Sequence, residues 1–444
     1  MSAPHEQTPP AQEPVAEAAP KPLLELRDGL SPVVSTPAAL DRAVAAFAAG
    51  HGPVALDAER ASGYRYSQRA YLVQMRRAGA GTLLIDPATF GDVPNDSLLP
   101  LAEAIRDAEW VIHAASQDLA CLAELGMRPA QLFDTELAGR LLNYPRVGLA
   151  VMVEDLLGYR MRKEHSAVDW SKRPLPEPWL VYAALDVELL LELRDELARQ
   201  LEEAGKADWA RQEFAAWAQM GPTAPRIDPW RRTSGMHRVR GRRGLAFVRE
   251  MWRTRDALAR KRDVTPSRIL PDAAIVEAAQ ETPTSRTALS ELAGFATRGG
   301  QRYLRDFYAA ALAAGELADR ELPPLSPRYD GPPPPRNWAA KHPVAADRLA
   351  RCRAAVSALA VEHDLPQENL LAPDVVRRLA WTPPKPPSVE HVVATLAALG
   401  ARPWQRELTA ATLADVLAAA PTVSPADVGP GSCADGAVGD SSEA

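Results

Sequence analysis

Val54-Ala-Leu-Asp57-Ala-Glu59 is a short apolar run that ends in two carboxylates. Its length and composition predict a buried β-strand, and residues two apart on a strand point to the same face of the sheet. Asp57 and Glu59 can therefore approach one cation from the same side. Because Mg²⁺ binds carboxylate oxygens together with water and phosphate oxygens, the run indicates a metal-binding edge in an α/β domain.

Two further motifs offer carboxylates from other elements. Asp118 follows a strand predicted over 110–114, at the start of a helix, within His113-Ala-Ala-Ser-Gln-Asp118-Leu119. Tyr182 and Asp186 lie one turn apart on one face of a predicted helix. Two ions about 3.5–4 Å apart need several such ligands to hydrolyse a phosphodiester. A nearby phenol could position the attacking water or help to deprotonate it.

Each motif alone has a more ordinary interpretation. An Asp-x-Glu at a strand end is commonly a surface turn, a lone Asp before a helix is commonly a cap, and a Tyr–Asp helix pair is commonly exposed. The three motifs occur in order, and each lies on the element type that the chemistry needs. Together they favour a two-metal nuclease.

The composition is that of a globular protein with several domains. At 444 residues the chain exceeds one ordinary core and indicates about two to four domains. It contains no apolar run near the ~18–20 residues that span a bilayer, and residues 1–22 lack the features of a signal peptide. Three cysteines far apart in sequence fit a reducing compartment and offer no disulfide framework or zinc site. We therefore expect a cytoplasmic protein without a membrane segment.

Charge is unevenly distributed along the chain. The net charge is −6, but residues 226–268 carry 14 Lys and Arg against 4 Asp and Glu. Residues 423–444 carry four acids and no Lys or Arg. The basic stretch indicates either a nucleic-acid-binding patch or a solvated helix face, and charge alone favours neither.

Periodicity and composition divide the chain into units. Strands are predicted over 53–59, 71–75 and 81–86, and Leu180–Glu203 is predicted as one long amphipathic helix. Two later all-helical modules share a weak internal repeat. The predicted units are a disordered tail at 1–22, an α/β domain at 23–220, a linker at 221–236, a helical domain at 237–318, a Pro-rich linker at 319–336, a second, diverged helical domain at 337–421 and a disordered acidic tail at 422–444.

Residues 23–217 resemble ribonuclease D and the wider DEDD exonucleases, which have the ribonuclease H-like fold. The resemblance is carried by Leu56-Asp-Ala-Glu59, by the His113–Leu119 motif and by Tyr182-Ala-Ala-Leu-Asp186, whose tyrosine marks one subclass of the family. Two shorter segments, Phe133-Asp-Thr135 and Asp169–Leu175, also resemble ribonuclease D. The α/β domain is therefore expected to have the ribonuclease H-like exonuclease fold.

The resemblance implies a site and an activity. The expected ligands of two divalent ions, Mg²⁺ or Mn²⁺, are Asp57, Glu59, Asp118 and Asp186, with Asp57 bridging both ions and Tyr182 orienting the attacking water. The expected activity is a 3′→5′ exoribonuclease that trims tRNA precursors and other small structured RNAs to 5′-mononucleotides. His113 is expected to be a core or supporting histidine rather than a metal ligand.

The two helical modules resemble the HRDC domain, a small helical domain that ribonuclease D shares with RecQ-type helicases. The resemblance implies nucleic-acid docking. Basic residues beside the first module, Arg238, Arg240, Arg242 and Arg243, are hypothesised to guide an RNA 3′ tail toward the metals. Lys163, Lys172 and Arg173 are further candidates for the RNA backbone, with exposed loop charge as the alternative.

Two other functions stay open at this stage. A DNA exonuclease of the same fold would need the same carboxylates, because sugar discrimination depends on contacts to the 2′-OH. A non-catalytic nucleic-acid-binding scaffold would not need them. The presence of all five expected catalytic side chains argues against that scaffold.

Overall fold

The computed structural model describes residues 22–161, 167–221, 225–326 and 331–422. Within these ranges the chain forms an α/β domain followed by two groups of helices. Nearly all of the tails predicted at 1–22 and 422–444 lie outside the described residues. No helix among the described residues is long and apolar enough to cross a membrane.

A five-stranded sheet forms the centre of the described α/β domain, in the order β3-β2-β1-β4-β5. β1 pairs antiparallel with β2 and parallel with β4. Because parallel strands end at the same edge, the loop after β4 begins beside the two carboxylates of β1. The strands are β1 His51–Arg60, β2 Ala70–Ala78, β3 Gly81–Ile85, β4 Glu109–Ile112 and β5 Gln131–Asp134.

Eight α-helices accompany the sheet in the described α/β domain. The single helix predicted over Leu180–Glu203 is wrong, because the chain leaves helical geometry at Leu189 and forms α6 and α7 instead. α6 packs against β1, β2 and β3, whereas α7 packs against β1 and β4. The helices are α1 Pro37–Ala49, α2 Leu99–Ala104, α3 Leu119–Ala123, α4 Thr135–Leu141, α5 Leu149–Met152, α6 Glu177–Glu188, α7 Leu190–Glu203 and α8 Ala207–Ala218.

The first module, α9–α14 with its flanking segments, has a hydrophobic core of its own. Trp230 and Leu322 belong to this core, although they lie in the segments predicted as linkers. The packed unit therefore extends beyond the predicted limits of 237 and 318. Its helices are α9 Gly241–Arg262, α10 Pro266–Ile269, α11 Asp272–Glu281, α12 Arg286–Glu291, α13 Arg298–Arg302 and α14 Leu304–Glu316.

The second module, α15–α20, shares one continuous hydrophobic core with the α/β domain. Trp404 of α20 stacks on Trp209 of α8, with ring centroids 5.0 Å apart. The helices are α15 Trp338–Lys341, α16 Pro343–Glu362, α17 Gln367–Leu370, α18 Pro373–Trp381, α19 Val389–Ala398 and α20 Pro403–Ala418.

Candidate active site

Three of the predicted ligands meet at one edge of the sheet. Asp57 and Glu59 project from β1, and Asp186 projects from α6, which packs on that strand. One carboxylate oxygen from each lies within 4.8 Å of the others. The three line a cleft of about 480 Å³, and Asp118 and Tyr182 line it as well. The structure thus brings all five residues of the three motifs to one cavity.

Asp118 reaches the cleft from the loop that follows β4. Its side chain is buried, and an oxygen lies 3.3 Å from Nη2 of Arg60, the last residue of β1. Its oxygens are not part of the 4.8 Å triplet, but burial and then the charge of Asp57 raise the pKa of Asp118. Asp118 therefore faces the cluster from the side that Arg60 occupies.

Asp134 positions the loop that carries Asp118. Its carboxylate accepts hydrogen bonds from the backbone N–H groups of Ala114, at 3.1 Å, and Ala115, at 2.9 Å. It also caps α4 through Glu136 N, at 2.9 Å. Sequence reasoning did not give Asp134 a role in the site. An Asp between a strand and a helix is the available signal, because this is the N-cap pattern.

Two polar side chains fix other parts of the site. Gln74, directly across from Asp57 on β2, donates from Nε2 to Oδ2 of Asp57 at 3.2 Å. His113 is hydrogen-bonded through Nδ1 to Thr135 Oγ1 at 2.9 Å. Burial lowers the pKa of His113 to about 4, so its ring is neutral near pH 7. This geometry agrees with a supporting rather than a ligating histidine.

The carboxylates repel one another because they are buried together. Burial, and then the charges of Asp57, Asp186 and Asp118, raise the pKa of Glu59 to about 10. Burial also raises the pKa values of Asp57 and Asp186. Clustered acids of this kind are stabilised by a cation. The all-oxygen donor set fits hard ions such as Mg²⁺ or Mn²⁺.

Tyr182 lies one helical turn from Asp186 and is hydrogen-bonded to it. Burial, and then the charges of Asp186 and Glu59, raise the pKa of the phenol. The hydroxyl therefore keeps its proton and acts as a hydrogen-bond donor. Of the two roles considered from the sequence, this geometry favours positioning a water over deprotonating it.

The predicted RNA-binding cations have different surroundings. Lys163 lies outside the described residues, and Lys172 is exposed. The guanidinium of Arg173 donates to both carboxylate oxygens of Asp86, at 2.5 and 2.6 Å, and to the carbonyl of Tyr71 at 2.8 Å. Arg173 therefore joins parts of the α/β domain, and these internal bonds argue against the predicted RNA contact.

The four arginines predicted to guide RNA beside the first module form the basic strip, and they also differ in their surroundings. Arg242 donates to the carbonyls of Asp319 and Leu322, and Arg243 donates to that of Leu317. Arg238 and Arg240 are exposed. The described lining of the cleft includes none of these four arginines. Arg242 and Arg243 thus hold the end of the first module against α9, which argues against a direct role in guiding RNA.

Three family models match successive parts of the chain. Residues 32–202 match a model described as 3′-5′ exonuclease, and residues 244–310 match the HRDC domain. Residues 331–417 match a model described as 3′ to 5′ exonuclease C-terminal domain. The HRDC match thus falls on the first module, and the second module matches a different model.

Whole-chain comparisons agree with the domain matches. The chain is 31% identical over 302 residues to ribonuclease D of Gluconacetobacter diazotrophicus, which covers 65% of this chain and 72% of the relative. A solved protein from Bifidobacterium adolescentis is 36% identical, with a TM-score of 0.80 over 90% of this chain and 100% of the other. Escherichia coli RNase D, described as an exoribonuclease involved in structured RNA processing, is 26% identical, with a TM-score of 0.62 over 83% and 98%. The chain belongs to the ribonuclease D family of 3′-5′ exoribonucleases.

Proposed function

We propose that this chain removes 5′-mononucleotides from the 3′ end of RNA with two divalent ions held by Asp57, Glu59, Asp118 and Asp186. The observation that carries the proposal is the convergence of carboxylates from β1 and α6 within 4.8 Å, in a cleft that Asp118 also lines. Two ions, Mg²⁺ or Mn²⁺, would neutralise this cluster, activate a water and stabilise the leaving oxygen when bound.

Asp57 is the best candidate for the ligand that the ions share. Its charge acts on Glu59, Asp118 and Asp186 alike and, together with burial, raises the pKa of each. Asp57 also belongs to the 4.8 Å triplet with Glu59 and Asp186, and it lines the same cleft as Asp118, so it would be able to serve both ions. The hydrogen bond from Gln74 limits its rotation and keeps one oxygen directed into the cleft.

Tyr182 orients the nucleophile in this proposal. Its hydroxyl keeps its proton and donates it to Asp186, so the phenol oxygen can accept a hydrogen bond from the attacking water and orient it without removing a proton from it. His113 is neutral and held by Thr135, and it supports the turn before Asp118. A carboxylate of the cluster would accept the proton of the water, and the ions, when bound, would lower the pKa of that water.

The substrate class follows from the family. We assign tRNA precursors and other small structured RNAs, in line with the structured RNA processing in which the Escherichia coli relative is involved. We also assign the protein to the cytoplasm, because it is similar to bacterial ribonuclease D proteins. Buried Cys121 and Cys352 are free thiols, which fits a reducing compartment.

A degradation assay with end-labelled substrates tests the proposal. With 5′-labelled linear RNA and Mg²⁺, wild type should give a ladder that shortens from the 3′ end, and a circular RNA of the same sequence should persist. Asp57→Asn should lower the rate at least about 10³-fold, since metal catalysis supplies several kcal/mol. Asp41→Asn removes an exposed acid of α1 and should match wild type.

Other outcomes of the same assay decide between the remaining functions. Faster shortening of DNA than of RNA would identify a DNA exonuclease. Failure of wild type to shorten either polymer with Mg²⁺ or Mn²⁺ would favour a non-catalytic scaffold. Full activity of Asp57→Asn would show that the metal-site assignment is wrong.

A further inference from the structure

The first module is fixed against the loop that leads away from the catalytic carboxylates. This loop, residues 61–69, follows β1 directly. Asp263, at the end of α9, accepts from Ser67 N at 2.8 Å and from Tyr71 Oη at 3.3 Å. Thr265 N donates to the carbonyl of Tyr64 at 3.1 Å. The module is therefore held in a fixed position beside the cleft and is not a loosely tethered unit.

An aromatic–arginine pair lies where the first module meets the cleft. Tyr64 lines the cavity that holds the carboxylates. Arg268 of α10 places its guanidinium carbon 4.6 Å from the centroid of the Tyr64 ring. The Tyr64 hydroxyl donates to Ala167 O at 3.3 Å, which fixes the ring. Such a pair offers a planar cation for a phosphate or base next to an aromatic face for stacking.

More exposed cations continue from Arg268 over the first module. Gly299 of α13 faces the carbonyl of Arg268, at 3.8 Å from the position that a Cβ would take, so α13 lies directly beside α10. Arg302 of α13 and Arg262 of α9 both lie over the ring of Tyr303, at 5.5 and 5.2 Å. The seam surface is defined by Tyr64, Arg262, Arg268, Arg298 and Arg302.

The arginines of the seam surface are available for a ligand. Arg262, Arg268, Arg298 and Arg302 are all exposed. No acid in the described part of the chain forms an ion pair with any of the four. Arg242 and Arg243 differ, because backbone carbonyls occupy their guanidinium groups. A positive surface that has no ion-paired acid among the described residues and lies beside an acidic cleft suits a polyanion that enters that cleft.

We propose that the seam surface binds the unpaired segment of RNA directly upstream of the 3′ nucleotide that is being removed. The proposal rests on the function proposed above and adds the path of the substrate. Tyr64 and Arg268 hold a base and phosphate next to the scissile bond, and Arg262, Arg298 and Arg302 neutralise the phosphates that follow. A single strand fits better than a duplex, because stacking on Tyr64 needs an unpaired base.

RNA affinity measured without catalysis tests the proposal. Fluorescence anisotropy of a labelled, unstructured 12-nucleotide RNA in EDTA reports binding whether or not the protein is a nuclease. Changing Arg262, Arg268 and Arg302 together to Ala should weaken binding at least tenfold. The dependence of log K on log salt should fall by about 2, because three phosphate contacts to a single strand are lost.

A charge-matched triple variant controls for net charge. Arg42, Arg336 and Arg353 are exposed and lie outside the seam surface. Their joint change to Ala should alter affinity less than threefold. Equal losses in the two triple variants, each shown by thermal melting to be folded, would overturn the proposal. A failure of wild type to degrade RNA in Mg²⁺ would instead overturn the proposed function. The RNA affinities measured in EDTA would still show whether the seam surface binds RNA.

Single variants separate stacking from charge. Tyr64→Phe keeps the ring and should bind the 12-nucleotide RNA as wild type does, whereas Tyr64→Ala should bind it about tenfold more weakly. Arg268→Lys keeps the charge but loses the planar group, and its affinity should fall between those of wild type and Arg268→Ala. Equal affinity of Tyr64→Ala and Tyr64→Phe would show that the base does not stack there.

Discussion

The two helical modules are attached to the α/β domain by different kinds of contact. The first module meets the loop after β1 mainly through polar bonds, made by Asp263 and Thr265, and through Tyr66 of that loop, which packs on the core of the module. The second module shares an apolar core with the domain. Extensive apolar burial makes a permanent interface, whereas a mainly polar interface fixes the position of a module but contributes less to the stability of the domain. The difference indicates that the second module stabilises the nuclease and the first serves its substrate.

Polar contacts within the interface between the second module and the α/β domain also indicate a stabilising role for that module. Trp404 donates from Nε1 to Glu213 at 3.0 Å, and Glu213 pairs with Arg402 at 3.4 Å. Lys206 donates from Nζ to the carbonyls of Leu141 and Asp364, at 2.9 and 2.8 Å. Buried polar groups of the domain therefore find their partners in the second module, so its removal would leave them unsatisfied.

Among these variants, Trp404→Ala should lose the most stability. The variant loses a fully buried ring, its stacking on Trp209 and its hydrogen bond to Glu213. The free energy of unfolding should fall by about 3–5 kcal/mol. Hydrogen exchange should show lost protection in α8 of the α/β domain as well as in α20.

Trp230→Ala is the matched change in the first module, where Trp230 is also buried. It should reduce protection in α9–α14 and leave α8 unchanged. Loss of protection confined to the second module in Trp404→Ala would contradict the single shared core.

Metal binding should also distinguish the two modules. The clustered carboxylates repel one another without a cation, so Mn²⁺ at about 100 times its Kd should stabilise the protein by about 2.7 kcal/mol. The gain should appear in the melting of the α/β domain and the second module together. The first module should melt as before, and Asp57→Asn should abolish the shift. An equal shift in that variant would place the bound ion elsewhere.

Asp263→Asn should weaken the contact between the first module and the α/β domain by about 1–2 kcal/mol, because a charged hydrogen-bond acceptor is replaced by a neutral one. Asn tolerates the left-handed backbone of this position, where φ is 46°. Burial tends to raise the pKa of Asp263, but hydrogen bonds from Ser67 and Tyr71 outweigh it and lower the pKa below 3.8.

The sign of the pH dependence follows from that lowered pKa. The contribution of Asp263 is fully present above the unfolded value near 3.8 and is lost as pH falls through the lower folded value. The difference between wild type and Asp263→Asn in hydrogen exchange at residues 61–69 should therefore be constant from pH 5 to 8 and shrink below about pH 4. A difference that grows on acidification would contradict this assignment.

Arg242 and Arg268 allow a structural arginine to be compared with one that is proposed to bind RNA. Arg242→Gln loses hydrogen bonds to the carbonyls of Asp319 and Leu322, so the stability of the first module should fall by about 1 kcal/mol. Its RNA affinity should match that of Arg42→Gln, whereas Arg268→Gln should bind more weakly than both. Weaker binding by Arg242→Gln than by Arg268→Gln would instead support the RNA-guiding role that the sequence predicted for the basic strip.

Local patterns in the sequence account for much of the fold. Short apolar runs predicted four of the strands, and the spacing of Asp57 and Glu59 placed both on one face of β1. α1 was not predicted, although Thr36 and Pro37 form an N-cap and first-turn pair that indicates a helix start. The break at Leu189 carries no Gly or Pro, and it separates α6, which packs on β1, β2 and β3, from α7, which packs on β1 and β4.

The long-range parts of the site could not be predicted from local patterns. The ion pair of Arg60 with Asp118 and the contact of Arg268 with Tyr64 join residues far apart in the chain. The internal partners of Arg173 and Arg242 likewise depend on the folded structure, so the sequence showed only their charge. Composition showed that cations were present, but tertiary packing decides which of them can meet RNA.

An anomalous difference map from a crystal soaked in Mn²⁺ would test the proposed metal site most directly. The proposed site predicts two peaks among Asp57, Glu59, Asp118 and Asp186, with Asp57 in contact with both. Asp57→Asn should lose at least one of these peaks under the same soak. A map without peaks in this cleft, or with its peaks at other residues, would show that these four carboxylates do not form the metal site.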